Sequence, residues 1–204
     1  GAVGAGKTTL VRQLLSEMDR NTTVGLISNT HESFGNLLQW VSVAFDLPSR
    51  GSSKAMLYDR FARFLVEQYA AGRRTVLIVD EAQNMHERTL EELRLLTNIN
   101  ADKHQVLQLL LVGQPELRDR QRQPGLVQFV QRIGVDYHLA ELTVDETVRY
   151  IDYRIIRAGG SNGLFEPAAC RFVHYQCGGV PRLINTLCDT AMVYGFASQV
   201  TTIS

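Results

Sequence analysis

Gly1-Ala2-Val3-Gly4-Ala5-Gly6-Lys7-Thr8-Thr9-Leu10 decides how the rest of the chain is read. Its first eight residues follow G-x-x-x-x-G-K-[ST]. Glycines at these positions let the backbone wrap an anion with several amides pointing inward. A helix that starts directly afterwards adds the positive end of its dipole. Lys7 brings a mobile positive charge, and Thr8 sets a hydroxyl where a magnesium ion would sit. The plain alternative is a glycine turn before an ordinary helix. The context required for phosphate binding is nevertheless present, because Leu10, Val11, Leu14, Leu15 and Met18 mark one face at helical spacing.

Moving outward, Val76-Leu77-Ile78-Val79-Asp80-Glu81 is an apolar run closed by two acids. Ligands of open parallel sheets gather at the carboxyl ends of the strands. Two carboxylates placed there are costly unless something binds them. Asp80 suits the surroundings of the magnesium ion, and Glu81 can polarise a water against a terminal phosphate as a general base. Two solvated acids at the start of the next helix are the alternative. A third apolar run, Val106 to Val112, ends in Gly113-Gln114-Pro115. Gln114 is its first polar side chain and can hydrogen-bond the attacking water or the phosphate; a turn with an incidental glutamine is the other reading.

These runs alternate with helical patterns. Thr23 to Ile27 reads as a short strand, and Phe34, Leu37, Leu38 and Val41 as a helix stopped before Pro48. Leu57, Phe61, Phe64 and Leu65 mark a third helix, and Leu90, Leu93 and Leu96 a helix that crosses back. Thr75–Val79 and Val106–Val112 carry the near-continuous apolar pattern of strands buried on both faces. Val135-Asp136-Tyr137-His138-Leu139 alternates like a strand nearer an edge. The expectation is an α/β domain with a parallel sheet over residues 1–142, with the strand that feeds the loop lying upstream of Gly1. From 143 only helices follow. Thr143-Val144-Asp145-Glu146 has the form of a capping box, and Val148, Ile151 and Ile155 form the stripe behind it. Gly159-Gly160 ends that helix, and Pro167 and Pro181 each suit a first helical turn. Ile184, Leu187, Cys188 and Ala191 share a face in the last helix. Residues 143–204 therefore read as a small all-helical subdomain.

The composition narrows the function classes. Of 204 residues, 45% are hydrophobic, enough for a real core, and 21 basic residues balance 21 acidic ones. That balance gives no general basic footprint for nucleic acid. The apolar runs fall far short of the roughly 20 residues that span a bilayer. The five histidines (His31, His86, His104, His138, His174) make no pair at metal-ligand spacing. Cys170, Cys177 and Cys188 suit core filling, and Arg118, Arg120 and Arg122 a solvated basic face.

Five stretches, GAVGAGKTTL, VLIVDEAQNM, LRLLTNINADKHQVLQLLLVGQPEL, FVQRIGVDYHLAEL and GGVPRLINTLCD, together resemble the AAA+ ATPases of the general secretion pathway protein A (ExeA-like) family. The resemblance covers almost the whole chain. It implies a P-loop NTPase (AAA+) fold with a helical lid, binding ATP and Mg2+. Gly1, Gly4, Ala5, Gly6, Lys7, Thr8 and Thr9 would form the Walker A cradle. Thr8 and Asp80 would attend the metal, with Asp80 and Glu81 as the Walker B pair. Gln114 takes the sensor-1 position, Arg132 looks like an arginine finger reaching a neighbouring subunit, and Arg182 like the sensor-2 arginine of the lid. Ala2 departs from the glutamate expected there, at a position that does not contact phosphate. Longer members continue into a membrane span and a periplasmic cell-wall-binding region.

What the resemblance implies is an oligomeric ATPase, a ring or a dimer, on the cytoplasmic side of the inner membrane, working with an inner-membrane secretion component. It would power or regulate assembly of an envelope export machine. An ATP-dependent DNA-binding adaptor of the transposition type is the alternative, disfavoured by the zero net charge because such binding depends on counterion release. A P-loop kinase of a small metabolite fits less well, since Glu81 beside Asp80 suits activation of water.

Overall fold

A computed structural model of the chain describes residues 1–28, 36–101, 104–120 and 126–204. Phe34, His31 and Arg122 lie outside the described residues. The chain divides into two units, Leu10–Asp136 and Gly1–Thr9 together with Tyr137–Ser204.

The first unit is built on three parallel strands, β1 (Thr22–Ile27), β2 (Arg74–Val79) and β5 (Gln108–Leu111), in the order β1-β2-β5. Between β2 and β5 the chain makes a small antiparallel pair, β3 (Asn100–Ala101) with β4 (His104–Gln105). β2 is the central strand and is buried at every position after Arg74. Its alternation sorts the helices onto two faces. Val76 and Ile78 pack with Val11, Leu15 and Met18 of the α1 side (α1, Lys7–Glu17; Met18 follows its last turn). Leu77 and Val79 face the larger cluster, with residues from α2 (Leu37–Ala44), α3 (Lys54–Ala70) and α4 (Glu87–Leu96). The rings of Phe45, Phe61 and Phe64 meet within that cluster, Phe61 lying 5.5 Å from Phe45 between centroids. Two short helices, α5 (Pro115–Arg120) and α6 (Val127–Val130), follow β5.

Three sequence expectations are corrected here. Val106–Val112 does not run as one strand buried on both faces: the strand is Gln108–Leu111 and only half-buried. Among the described residues it pairs with β2 alone, so one flank lacks a ladder; Val106 and Leu107 are buried but precede it. Val135–Leu139 forms no strand ladder, and Val135 and Tyr137 are 88% and 78% exposed. An alternating pattern gives a strand only where a neighbouring backbone accepts it, and none of the described strands pairs with this segment. In α1, Val11 is buried while Leu10 and Leu14 are exposed, so the apolar stripe is only partly covered.

The second unit carries α7 (Val144–Arg157), α8 (Pro167–Cys177) and α9 (Pro181–Ala197). Ile151, Ile155, Phe165, Val173 and Ile184 meet in its core with all three cysteines. Burial pushes the three thiols up, that of Cys188 to about 12, so at neutral pH they are protonated filler. The capping box of α7 is complete. The Thr143 backbone N–H donates to Glu146 Oε2 at 2.8 Å, and the Glu146 N–H donates to Thr143 Oγ1 at 3.3 Å. Proline occupies the first turn of both α8 and α9. Gly178 caps α8 in the left-handed region, and Gly179, at φ 73°, lies against the chain at Leu142, where a Cβ would collide with the Leu142 carbonyl.

Two measurements check this packing. Phe61→Ala should cost about 3–5 kcal/mol in urea unfolding, because it empties a fully buried site between two other rings. The second concerns acid. The Thr143 backbone N–H and then its hydroxyl hold the Glu146 carboxyl below its ordinary 4.5. A lowered folded-state pKa stabilises above the unfolded value and is lost as pH falls through the folded one. The stability difference between the wild type and Glu146→Gln should therefore be present at pH 7 and shrink as pH drops below 4.5, read from urea midpoints at a series of pH values.

Candidate functional site

The glycine-rich loop lies in the second unit. Gly4 and Gly6 take φ of 79° and 96°, a region that side-chain-bearing residues seldom adopt, and Ala5 between them is buried. The Ala5 N–H closes the turn on the Ala2 carbonyl at 3.3 Å, and α1 starts at Lys7. The Lys7 ammonium lies back along the loop, donating to the carbonyls of Gly1 at 2.8 Å and Ala2 at 2.7 Å. Its positive charge is thereby held on the loop that bears it. Thr8 and Thr9 are exposed on the first turn of α1.

Arg182 belongs to the same unit and touches this loop. Its backbone N–H donates to the Gly4 carbonyl at 3.2 Å, and a Cβ on Gly4 would stand only 2.6 Å from that of Arg182. The residues after Gly178 explain the approach. Gly179 accepts the Leu142 N–H at 2.9 Å, Val180 is the N-cap of α9, and Pro181 starts its first turn. The first N–H groups of a helix have no partner within it, so Arg182 can spend its own on the loop.

The two acids and the glutamine lie in the first unit, at the carboxyl ends of strands that finish level. Ile27, Val79 and Leu111 stand in one row across the sheet. The ladder continues one residue further, with Asp80 N–H donating to Ile27 and Val112 N–H to Val79. Asp80 is buried at 6% exposure, and its Oδ1 accepts the Glu81 N–H at 2.9 Å. Glu81 sits in the left-handed region at φ 54°, ψ 35°. A non-glycine residue there carries a strain on the order of 1 kcal/mol or more, of the kind found where a side chain is being aimed. The Glu81 carboxylate accepts at Oε2 from the Gln83 amide at 2.5 Å and from the Gln114 amide at 3.4 Å.

Gln83 was not singled out in the sequence, yet it joins the group. Its Oε1 accepts the Gln114 backbone N–H at 3.0 Å, and its carbonyl accepts from Arg120 Nη1 at 2.6 Å. The available signal was its place two residues after Glu81, in the short 3-10 turn Ala82–Asn84 that leaves β2. A turn that tight returns the side chain toward the strand end. Arg120 is therefore not one of three solvated arginines. Arg118 pairs with Asp136 at 3.0 Å, an exposed pair that adds little stability. Arg132 is exposed on a turn after α6, its N–H bonded to the Phe129 carbonyl. His174 contacts Thr147 at 3.0 Å, and His104 stacks on Tyr69. No helix among the described residues is long and apolar enough to cross a membrane.

Known proteins resemble this chain in sequence and in fold. The chain is 40% identical over 198 residues to General secretion pathway protein A of Aeromonas hydrophila. That match takes in 97% of the chain and 36% of the relative. Among solved structures, the Cdc6p of Pyrobaculum aerophilum superposes with a TM-score of 0.70 at 16% identity, over 100% of this chain and 56% of that one. The ORC2 protein of Aeropyrum pernix in its ADP form gives 0.65 at 18%, over 100% and 57%. A RuvB mutant of Thermotoga maritima gives 0.62 at 17%, over 100% and 57%. The chain thus spans about a third of the curated relative and over half of each structure. These likenesses give it the P-loop AAA+ fold. The family described as AAA domain matches residues 1–121, more than half of the chain, and with its loop, its strand-end acids and its helical tail the chain belongs to that family.

Proposed function

We propose that this chain is an ATP-hydrolysing module whose subunits assemble and which, within a longer protein, drives or regulates construction of an envelope secretion machine. The observation that carries the hydrolytic part is the Glu81 carboxylate, fixed at the end of β2 and bonded to the side chain of Gln114 at the end of β5. A carboxylate so held serves a water. Acids that merely started a helix would have no reason to be strained and tied across two strands.

In this reading the loop amides of Gly1 to Gly6 receive the outer phosphates, with Thr9 contributing on the first turn of α1. Lys7 exchanges the carbonyls of Gly1 and Ala2 for phosphate oxygens, which as charged acceptors compete well for an ammonium. The metal donors are of suitable chemistry. A hydroxyl from Thr8 and a buried carboxylate from Asp80 are hard oxygen ligands, and magnesium takes few protein ligands beside phosphates and waters. When bound, magnesium would neutralise charge developing on the outer phosphates. Glu81 orients a water and accepts its proton as the oxygen attacks the terminal phosphorus. The bond to the bridging oxygen breaks, and ADP leaves with that electron pair. Gln114 holds the water or the terminal phosphate in line. Arg182 reports on the terminal phosphate from the start of α9. Arg132, exposed on the turn after α6, is supplied to a neighbour as an arginine finger. The secretion role rests on the 40% identity to General secretion pathway protein A, and with it we place the module on the cytoplasmic face of the inner membrane.

Glu81→Gln should keep ATP uptake in calorimetry and lose turnover by at least about 10²-fold, whereas Lys7→Ala should lose uptake itself. Unchanged turnover in Glu81→Gln removes the general-base assignment. A finger is worth about 10³ to 10⁵ in rate, so turnover per subunit should climb with protein concentration and collapse in Arg132→Ala. Rates independent of concentration contradict an intersubunit finger. In a strain lacking the longer protein, its Glu81→Gln form should fail to restore export.

A further inference from the structure

We propose that Gln83 is a positioning residue: its side-chain amide fixes the Glu81 carboxylate and locks it to the backbone of Gln114, so that the end of β2 and the end of β5 act as one unit. The inference rests on Glu81 being the base proposed above. A glutamate side chain has three rotatable bonds, and a base must hold its oxygen within a fraction of an ångström of the reactive position. Gln83 supplies both halves of the necessary bridge. Its Nε2 donates to Glu81 Oε2 at 2.5 Å while its Oε1 accepts the Gln114 N–H at 3.0 Å. A primary amide is suited to this task because it carries donor and acceptor on one rigid plane.

The surroundings hold Gln83 in turn. The Ala82 N–H donates to the Val112 carbonyl at 2.9 Å, and the Arg120 guanidinium donates to the Gln83 carbonyl at 2.6 Å. The turn is thus pinned from β5 on one side and from α5 on the other. Gly113 leaves the space that the bridge needs, since a Cβ there would stand 3.0 Å from Gln83 Oε1 and 2.9 Å from Leu117 Cδ2. A residue present only to fill space would not need donor, acceptor and carbonyl all engaged by the same cluster.

The test compares Gln83→Met and Gln83→Glu with the wild type and Glu81→Gln, measuring ATP turnover at a protein concentration that saturates assembly, the KM for ATP, and thermal unfolding. Methionine keeps the length and removes both hydrogen bonds. Glutamate keeps the acceptor for Gln114 but sets a like charge against Glu81. Both variants should lower kcat about 10- to 100-fold, with the KM within about twofold of the wild type. A rise in KM with kcat unchanged makes Gln83 a binding residue and overturns the proposal. Wild-type kcat in both variants overturns it as well, while a dead Glu81→Gln in the same assay leaves the base assignment standing. If Gln83→Met does not fold, Gln83→Glu decides alone: lost kcat supports the bridge, and retained kcat sinks it. Turnover surviving in Glu81→Gln is a separate failure, that of the base reading itself.

Discussion

Parallel strands that stop in the same row are the constraint on which the site depends. Ile27, Val79 and Leu111 share a register, and the hydrogen bonds from Asp80 to Ile27 and from Val112 to Val79 carry the ladder one step beyond it. A shift of one residue in either pairing would turn Asp80 toward the opposite face and separate Glu81 from Gln114. Register here is enforced by burial. Val76 and Ile78 belong to one helix layer, Leu77 and Val79 to the other, and all four are buried. The apolar core therefore does more than stabilise the sheet. It sets the position of two polar chain ends with respect to each other.

Beyond the ladder, the backbone bends sharply at the candidate site. Glu81 departs from the strand in a left-handed conformation, and the turn Ala82–Asn84 doubles back, which brings a glutamine amide onto the glutamate. The loop at Gly4 and Gly6 is bent in the same region of backbone space, at residues that tolerate it without strain. The contrast is informative. Glycine takes the left-handed region in the loop, whose main-chain amides are the groups proposed to bind phosphate, and a strained glutamate takes it where the side chain is the proposed base.

Much of this was legible in the residues. The loop, the central strand with its acids, the capping box at Thr143 and the prolines of α8 and α9 are local patterns, each with a local physical cause, and each folds as read. The failures are equally physical. Val135–Leu139 alternates correctly, but alternation states only what a strand would bury and not whether a neighbour exists to pair with it. The run from Val106 announced apolar character without saying that its first two residues are buried ahead of the strand. Gln83 escaped notice and Arg120 was read as part of a solvated face because their contact comes from a turn and a short helix meeting, at a sequence separation of 37 residues, which no periodicity encodes.

One contact in the helical unit reaches further than its size suggests. The opening turn of α9 hangs from the Gly4 carbonyl by the Arg182 amide, while Gly179 just before it is clasped to Leu142. The glycine loop, the chain at Leu142 and the start of α9 are in this way laced together by main-chain hydrogen bonds, with no side chain between them. Replacing the arginine's side chain would silence a charge and leave that tether intact, because the tether belongs to the backbone.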